Sequence, residues 1–415
     1  MSLLNVITRR MRCAPALLFL AAAPASADQL PPVSNFALDS MAPAGRWATR
    51  IELRANGYDQ WYDNDGKRRD LDAAFDGVEL NGSVFPSLAL LGAGATLGSA
   101  SIDTKAELRS LQLILGYGIA EDLTAGIILP FVTTRAKVGF SVSGGNVGFN
   151  PAFDPGQPIG AANFPFAPVG GGATAPLGTG GVKQLLTDPI YGYGYRPIED
   201  TETSGLSDST AGLLWRFRTG PTSSAILGGG VRFGVAGGDD PDNLLDVPIG
   251  DGSTDIRLRM EYFRDLAAGF DLHLLAENFT QLPDHADMRV PQPGQLLATA
   301  DSKERLRRNM GDYQEYDIEM GRHWGNWRAS ATWHRYRKGM DRYTSDKGTD
   351  TGMLEANTEV HANQWRAGVS WSGIDAWRAG TLPLPLILKL EMQETYGGRN
   401  FPDVRDFYLQ AITFF

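Results

Sequence analysis

The chain has 415 residues, a net charge of −10 at pH 7, 49 glycines, 24 prolines and one cysteine, and 42% of its residues are hydrophobic. The acidic balance argues against nucleic acid as a partner, because proteins that bind nucleic acid carry basic patches. The single thiol, Cys13, lies near the N-terminus, so the rest of the chain can form no disulfide, Cys-ligated zinc site or thiol nucleophile.

Residues 1–27 have the pattern of a secretory signal peptide. Three arginines lie between positions 9 and 12, an apolar run follows at 14–23, and Ala-Ser-Ala at 25–27 is a small-residue cleavage site. The apolar run is shorter than the roughly 20 residues that a membrane-spanning helix needs. We therefore predict an exported protein. Removing the three arginines changes the net charge from −10 to −13, and residues 28–44 are a predicted periplasmic N-terminal segment.

From residue 45 onward, segments of about ten residues alternate between apolar and polar side chains, which is typical of transmembrane β-strands. Ile256, Leu258 and Met260, for example, alternate with Arg257 and Arg259. The pattern predicts an all-β fold, an antiparallel transmembrane β-barrel over residues 45–415. Its twelve strands are predicted at 45–58, 104–118, 122–140, 208–219, 223–236, 253–264, 268–281, 311–323, 326–338, 358–372, 384–396 and 404–415.

The gaps between these strands alternate between long and short. The long connections are 59–103, 141–207 and 282–310, and most of the gaps between them are only a few residues. Short periplasmic turns and long extracellular loops are the asymmetry that outer-membrane barrels show. The asymmetry predicts an even strand number with both termini in the periplasm. Ten or fourteen strands stay possible, because the loop 59–103 could hold a further hairpin.

Two of the long loops have a distinctive composition. Residues 84–100 are apolar, and residues 143–206 are rich in Gly, Pro and Phe. Loops of this length are usually functional or disordered. The segment 84–100 could form a short helix folded into the mouth of the barrel, or it could belong to a flexible outer cap.

The chain ends in alternating residues that close on Phe415. A terminal aromatic residue in strand register looks like the last-strand signal of bacterial outer-membrane barrels. We therefore predict localisation in a Gram-negative-type outer membrane, with membrane lipid and the barrel-assembly machinery as partners, the latter through Phe415.

The inward-facing register of the predicted strands carries charges of both signs. A charge facing lipid near the membrane midplane would cost about 2–4 kcal/mol, whereas a luminal charge can face water or pair across the barrel. The alternatives are ion pairs that fill a narrow barrel and a surface that lines a passage. The pore-lining candidates are Arg50, Glu52, Arg54, Arg216, Arg218, Arg257, Arg259, Glu261, Asp317, Glu319, Arg328, His334, Arg366, Lys389 and Glu391.

Catalytic and metal-binding patterns are weak. His273 and His334 fall in the inward register and share no outward site with a serine, as a lipid-hydrolysing barrel would require. No histidine pair has metal-ligand spacing. The acidic turn 237–243 could hold calcium through oxygen ligands, but it lacks a full EF-hand loop. We therefore predict no enzyme activity, no cofactor and no metal.

The apolar register changes within the second and third predicted strands. In the third strand, apolar side chains occupy odd positions up to Phe131 and even positions beyond it, as at Val138. The second strand changes in the same way near residues 109–110. Because a proline cannot donate to the ladder, Pro130 marks an edge or a bulge. We predict a bulge shared by both strands, either harmless or a kink that opens a path through the wall.

Two segments resemble the MetA-pathway phenol-degradation family of outer-membrane transporters. They are LILGYGIAEDLTAGIILPF at 113–131 and GVRFGVAGGDDPD at 230–242, where Ala-Gly-Gly-Asp stands in place of the family's Pro-Thr-Gly-Asp turn. Members of this family are similar in outline to FadL-type transporters, whose third strand is kinked. The resemblance implies passive uptake of small hydrophobic or aromatic compounds across the outer membrane. The alternatives are a structural or adhesive barrel and a barrel enzyme such as a lipid hydrolase.

Overall fold

Twelve antiparallel strands form a closed barrel in the computed structural model, which describes residues 41–415. The predicted signal peptide therefore lies outside the described residues. Each strand pairs with its neighbours, and β1 pairs with β12 to close the wall. The strands are β1 (Trp47–Tyr58), β2 (Thr96–Ala120), β3 (Leu123–Ser143), β4a (Thr201–Leu206) with β4b (Ser209–Thr219), β5 (Ser223–Phe233), β6 (Asp255–Asp265), β7 (Phe270–Gln281), β8 (Tyr313–Trp324), β9 (Trp327–Lys338), β10 (Val360–Ser372), β11 (Leu386–Arg399) and β12 (Arg405–Phe414). The prediction of a twelve-stranded barrel is confirmed.

Shorter elements occupy the connections. The helices are α1 (Gly178–Thr187), α2 (Gly352–Glu355) and α3 (Ile374–Arg378), with 3₁₀ turns at Pro86–Leu91, Ala267–Gly269 and Ala300–Ser302. Within residues 41–415, no helix is long and apolar enough to cross a membrane. Short strands lie at Gln60–Tyr62, Arg68–Asp70, Glu79–Asn81, Val147–Phe149, Phe166–Pro168, Asp284–Arg289, Lys303–Asn309, Arg342–Thr344 and Phe401–Pro402.

The outer face of the barrel is an apolar band. Leu213, Trp215 and Phe217 alternate along β4b and are 51%, 48% and 43% exposed, although all three are strongly hydrophobic. Exposed aromatic residues flank the band at both of its ends, for example Trp327 at the periplasmic end and Phe131 at the extracellular end. An apolar band between aromatic girdles is the lipid-facing surface of an outer-membrane barrel.

The β2–β3 hairpin extends well beyond this band. Its register is unbroken from Ser99 opposite Ser143 to Gly118 opposite Thr124. Even-numbered side chains face inward from Ala100 to Gly118 in β2 and from Thr124 to Val142 in β3, so the predicted bulge shared by β2 and β3 is wrong. The apolar residues change position because the surroundings change. Within the membrane, the hydrophobic surroundings are the lipid outside the barrel wall. Above the membrane, the hydrophobic surroundings are the packed loops inside the barrel wall.

Two residues of β3 show this change directly. Lys137 points outward and its ammonium lies 2.6 Å from the Glu107 carboxylate, on a surface that faces water. Ala136 points inward and is 2% exposed. Polarity therefore alternates on both sides of Pro130, but the hydrophobic side changes from the outer to the inner face.

The two distinctive loops pack together as one extracellular cap, which we define as residues 78–100 and 138–198. Its core joins the 3₁₀ turn Pro86–Leu91, helix α1 and the upper ends of β2 and β3, with Phe85, Leu88 and Val182 each at most 1% exposed. Within residues 84–100, Pro86–Leu91 do form a short helix, as one alternative proposed, but that helix is packed into the cap's own core, and residues 96–100 belong to β2.

The acidic turn predicted as a possible calcium site is neutralised by cations. Asp242 accepts hydrogen bonds from Lys303 Nζ and Arg289 Nε, each at 2.8 Å. Arg289 also stacks over the Tyr195 ring at 4.1 Å and donates to the carbonyl of Gly194. Among residues 41–415, no group of three or more potential ligands could hold a metal ion. The turn therefore ties the cap to the hairpin that follows β7.

We expect this tie to weaken in acid. The hydrogen bonds from Lys303 and Arg289 hold the pKa of Asp242 below its usual value. The Asp242 carboxylate's contribution to the stability of this contact is therefore complete at neutral pH, and it is lost as the pH falls through that lowered pKa. An ion pair of this exposure is worth at most about 1 kcal/mol, so Asp242→Asn should speed local amide exchange at residues 193–195 by at most about fivefold at pH 7.

The control for this measurement is Asp346→Asn, because Asp346 is exposed in another loop. Hydrogen-exchange mass spectrometry at pH 7 and near pH 3 makes the comparison. If the wild type were to exchange at these residues as fast as Asp242→Asn at pH 7, the tie would contribute nothing.

Candidate functional site

A cavity of about 470 Å³ lies inside the barrel, and its two sides differ in chemistry. Strands β6 to β12 and β1 line one side mainly with charged and polar side chains. Strands β2 to β5 line the other side with glycines and aliphatic residues. Because most of these side chains come from the inward register, the difference follows largely from the period-two alternation.

Ion pairs fill much of the charged side. Arg259 bonds to Glu261 at 2.6 Å and to Glu277 at 2.5 Å, and Arg257 bonds to the same Glu277 at 2.6 Å. His273 lies 3.1 Å from Glu261 and stacks on Phe263. Pairing compensates the cost of removing these charges from water.

Arg328 is the most deeply buried cation of the network, at 3% exposed. It bonds to Asp271 and to Glu319, each at 2.5 Å. Gly321 leaves room for this contact, because a Cβ at that position would lie 2.3 Å from the guanidinium. Lys389 extends the network, because its Nζ lies 3.9 Å from Glu319 and 2.9 Å from Glu391.

The structure brings ten of the predicted pore-lining residues together around the cavity. Three others, Arg54, Glu261 and His334, are bound to carboxylates or cations at its margin. Arg216 and Arg218 lie instead near the periplasmic end of β4b, where a register shift between them leaves Arg218 exposed. The ten lining residues are Arg50, Glu52, Arg257, Arg259, Asp317, Glu319, Arg328, Arg366, Lys389 and Glu391.

Two of the cavity's cations have no carboxylate within 4 Å in the described chain. Arg50 makes no ion pair there, and its Nε is buried without a hydrogen-bond partner. Arg366 donates from Nε to the Gln393 amide oxygen at 2.8 Å and lies over the Tyr408 ring. Glu52 also lines the cavity, two residues from Arg50 on the same strand face. The cavity therefore offers both donors and acceptors to a guest molecule.

The N-terminal segment forms a floor at the periplasmic end of the cavity. Met41 packs against Ile226 and Phe263, and Ala42 N donates to Thr124 Oγ1 at 3.0 Å. Residues 41 and 42, which belong to the predicted periplasmic segment 28–44, thus lie inside the barrel. We define the floor as residues 41–45.

An interruption of the wall does lie at Pro130, but between β3 and β4. Thr210 of β4b pairs with Ile128 of β3, whereas Leu206 of β4a pairs with Phe131 of β3. The pairing register therefore shifts by one residue between β4b and β4a. Pro130 accepts a hydrogen bond from Ser207 N at 2.8 Å. A proline has no N–H to return, so the ladder cannot continue through this point.

The residue that the interruption adds is Asp208, which is 5% exposed. Its carboxylate accepts hydrogen bonds from Ala236 N at 3.1 Å and Asp251 N at 3.0 Å, both in the loop after β5. That loop therefore covers the interruption. We call this place, residues 128–131 with 206–210, the Pro130 seam.

Sequence reasoning missed the glycine side of the cavity and the floor. It also left Glu277, Glu315 and His273 out of the candidate set, although their alternation in β7 and β8 follows the same rule. His273 bonds to the carboxylate of Glu261 and His334 bonds to that of Asp317, so within residues 41–415 these two histidines are paired with carboxylates and not with a serine. The arrangement can hold and orient a small molecule, and it contains no assembled nucleophile.

Comparison with known proteins establishes the fold. No family model matches the chain, and no curated protein matches it. An outer-membrane channel from Pseudomonas putida F1 has a similar structure, with a TM-score of 0.51 and 10% identity over 93% of this chain and 100% of that chain. The Ralstonia pickettii toluene transporter TbuX gives a TM-score of 0.34 at 10% identity, over 94% and 92% of the two chains. The first likeness supports an outer-membrane barrel.

Proposed function

We propose that the protein carries small hydrophobic or aromatic compounds passively across the outer membrane. The observation that carries this proposal is the two-sided cavity. Its volume of about 470 Å³ falls within the range of small-molecule sites, about 300–1,000 Å³. An apolar side gives such a molecule a surface to lie on, and the charged side supplies polar groups that orient it.

The glycine side also favours transport over a purely structural barrel. Glycine inside a strand costs about 0.5–1 kcal/mol relative to alanine, so an inert barrel would gain stability from alanine where its methyl group has room, as at Gly116. At the other inward-facing glycines of β2 to β5, an added Cβ would lie 3.1 Å or less from a neighbouring atom: Gly118, Gly126, Gly212, Gly228 and Gly230. The resemblance of residues 113–131 to the MetA-pathway family implies the same function.

We infer a route that begins at the extracellular loops and leads into the cavity. From there a molecule leaves past the floor or sideways at the Pro130 seam. The sideways route suits an apolar molecule, because the outer face of the seam is lipid-facing. Phe131 and Leu206, which pair across it, are 47% and 39% exposed.

Replacing Pro130 with threonine tests the sideways route. The new N–H can donate to β4 and strengthen the seam, so we expect uptake of a hydrophobic substrate to fall by about tenfold, a barrier increase of about 1.4 kcal/mol. Ile318→Leu is the control, because Ile318 is an exposed residue of the outer face on β8, outside the seam. Uptake equal to that of the wild type in a folded Pro130→Thr barrel would count against this route.

The proposed function itself is tested with two measurements. Purified protein in planar bilayers should conduct small ions, and a deletion strain should take up toluene or phenol more slowly than its parent. Complementation with the full chain should restore uptake. Normal uptake in the deletion strain together with no conductance would support the structural alternative instead.

A further inference from the structure

Three basic side chains form a row on the outer face of the barrel, at the extracellular ends of three neighbouring strands. Arg337 of β9 pairs with His361 of β10, and His361 pairs with Arg399 of β11. Arg335 lies two residues nearer the membrane than Arg337 and faces the same way. Both of these arginines are exposed, whereas His334, which faces the lumen between them, is buried. We call the four outward residues the basic patch.

The neighbours of the two exposed arginines on this face carry no negative charge. Gln314 of β8 pairs with Arg337. Tyr316 of β8 and Asn363 of β10 both pair with Arg335. Amide and phenol groups can donate hydrogen bonds, as the guanidinium groups do. Neither arginine forms an ion pair within the described part of the chain, so this part of the face is a continuous surface of donors.

The arrangement is costly unless an anion joins it. Arg337 and Arg399 lie on either side of His361, about 10 Å apart across two strand spacings. Cations this close repel each other. The acids of this region are already engaged, because Glu359 lies 3.5 Å from Arg399 and Glu394 bonds to an arginine of β12. An anion from outside the chain would offset the repulsion.

The outward cations of β2 and β3 give a contrast within the same molecule. Lys137 bonds to Glu107, and Arg135 bonds to Glu202. These pairs lie on the same extracellular part of the outer face, but each cation already has its carboxylate. The arginines of the basic patch are therefore the ones left available to an external anion.

The basic patch lies at the level where lipid headgroups meet the barrel. Ten residues separate Arg337 from Trp327, which lies at the periplasmic end of the same strand. At about 3.3 Å per residue and a strand tilt of about 40°, this is a rise of about 25 Å, close to the height of the apolar band of such barrels. Just below the arginines, Trp333 pairs with Trp365 and donates from Nε1 to Tyr396 Oη at 2.9 Å. The patch thus continues directly into an aromatic girdle and the lipid-facing surface.

We propose that the basic patch binds lipid A, the phosphorylated disaccharide lipid of the outer leaflet. Guanidinium groups bind phosphate oxygens through paired, charge-assisted hydrogen bonds. A row of about 10 Å suits a phosphorylated disaccharide, which is wider than the single phosphate of a glycerophospholipid. The acyl chains lie along the aromatic girdle and the apolar band below the patch. The inference goes beyond the proposed function and does not depend on transport.

Native mass spectrometry of the purified protein in detergent makes the first test. The protein is titrated with lipid A, with phosphatidylglycerol or with inorganic phosphate. We expect lipid A to bind about fivefold more tightly than phosphatidylglycerol, because it engages at least one more cation. Equal binding of the two lipids would overturn the assignment to lipid A. Displacement of lipid A by an equal concentration of inorganic phosphate would overturn a lipid site altogether.

Arg335→Gln combined with Arg337→Gln removes two cations and keeps hydrogen-bonding side chains. We expect lipid A binding to weaken about tenfold or more, since each arginine near a lipid surface contributes about fivefold. The matched control combines Arg135→Gln with Lys137→Gln, which makes the same change of net charge several strands away. At physiological ionic strength the Debye length is about 8 Å, so this control should change binding by at most about twofold. Equal losses in the two double variants would overturn the patch as the site.

Thermal unfolding separates binding from a structural role of the arginines. Lipid A should raise the unfolding midpoint of the wild type by mass action and raise that of the Arg335→Gln, Arg337→Gln variant less. Without lipid A, the variant should unfold no earlier than the wild type, because the substitutions relieve repulsion between cations. Equal midpoint shifts, or a less stable variant in the absence of lipid A, would overturn the proposal.

Discussion

Replacing Arg328 with methionine is expected to destabilise the barrel by about 3–5 kcal/mol, the cost of leaving a buried charge without its partner. The guanidinium bonds to both Asp271 and Glu319, and all three residues are less than 10% exposed. Methionine fills similar volume but leaves two carboxylates close together without a cation between them. Urea unfolding from lipid vesicles, followed by tryptophan fluorescence, measures the change.

Two further variants separate charge from packing. Adding Asp271→Asn to Arg328→Met removes one of the stranded carboxylates and should recover part of the lost stability. Arg218→Met is the control, because Arg218 is exposed at the periplasmic end of β4b. A loss below about 1 kcal/mol in Arg328→Met would place this network in the energy range of surface ion pairs, contrary to its burial.

Replacing Gly118 with valine is expected to displace the floor and raise the single-channel conductance by about twofold or more, because under the proposed function the floor narrows the passage at its periplasmic end. A Cβ at Gly118 would lie 2.1 Å from Pro43 O and 2.7 Å from Ala42 O. The floor is also tied to this residue directly, through Gly45 N to Gly118 O at 2.7 Å. The overlap involves backbone oxygens of the floor, which cannot rotate away as a side chain can. The floor segment as a whole must therefore move away from β2.

Planar-bilayer recording measures this effect, with Gly229→Ala as a folded control whose added methyl faces lipid. Thr124→Val provides a milder route to the same result, since it removes the hydrogen bond from Ala42 N. An unchanged conductance in folded Gly118→Val would show that residues 41–45 do not limit the passage.

The period-two rule predicted the strands well because lipid and lumen impose opposite preferences on alternate residues. It misread β2 and β3 above the membrane for the same reason. At Ala136 and Lys137 the hydrophobic environment lies on the other side of the wall, and alternation alone cannot tell which side is apolar. An interruption does lie at Pro130, but it separates β3 from β4 and not β2 from β3, and that placement depends on the register.

The candidate site was predictable where it depends on single residues. Arg257 and Lys389 line the cavity because their own strands place them there. The glycine side of the cavity depends on the pairing of four strands, and Gly212 and Gly230 meet only once the register of β4b and β5 is known. Arg218 was misplaced because the register shift after Arg216 cannot be read from alternation. The floor joins residues distant in sequence, which a local pattern does not reveal.

The β3 strand connects two regions that could otherwise move independently. Val138, Phe140 and Val142 belong to the core of the cap, and Pro130 lies on the same strand below them. A paired strand is stiff along its length, so a displacement of the cap would also displace the part of β3 that contains Pro130. A guest molecule that wedges the cap open would then pull at the one point where the ladder with β4 is already interrupted. Capture at the cell surface and release into the lipid would be mechanically coupled, and a disulfide that locks the cap should slow release even though it lies far from the seam.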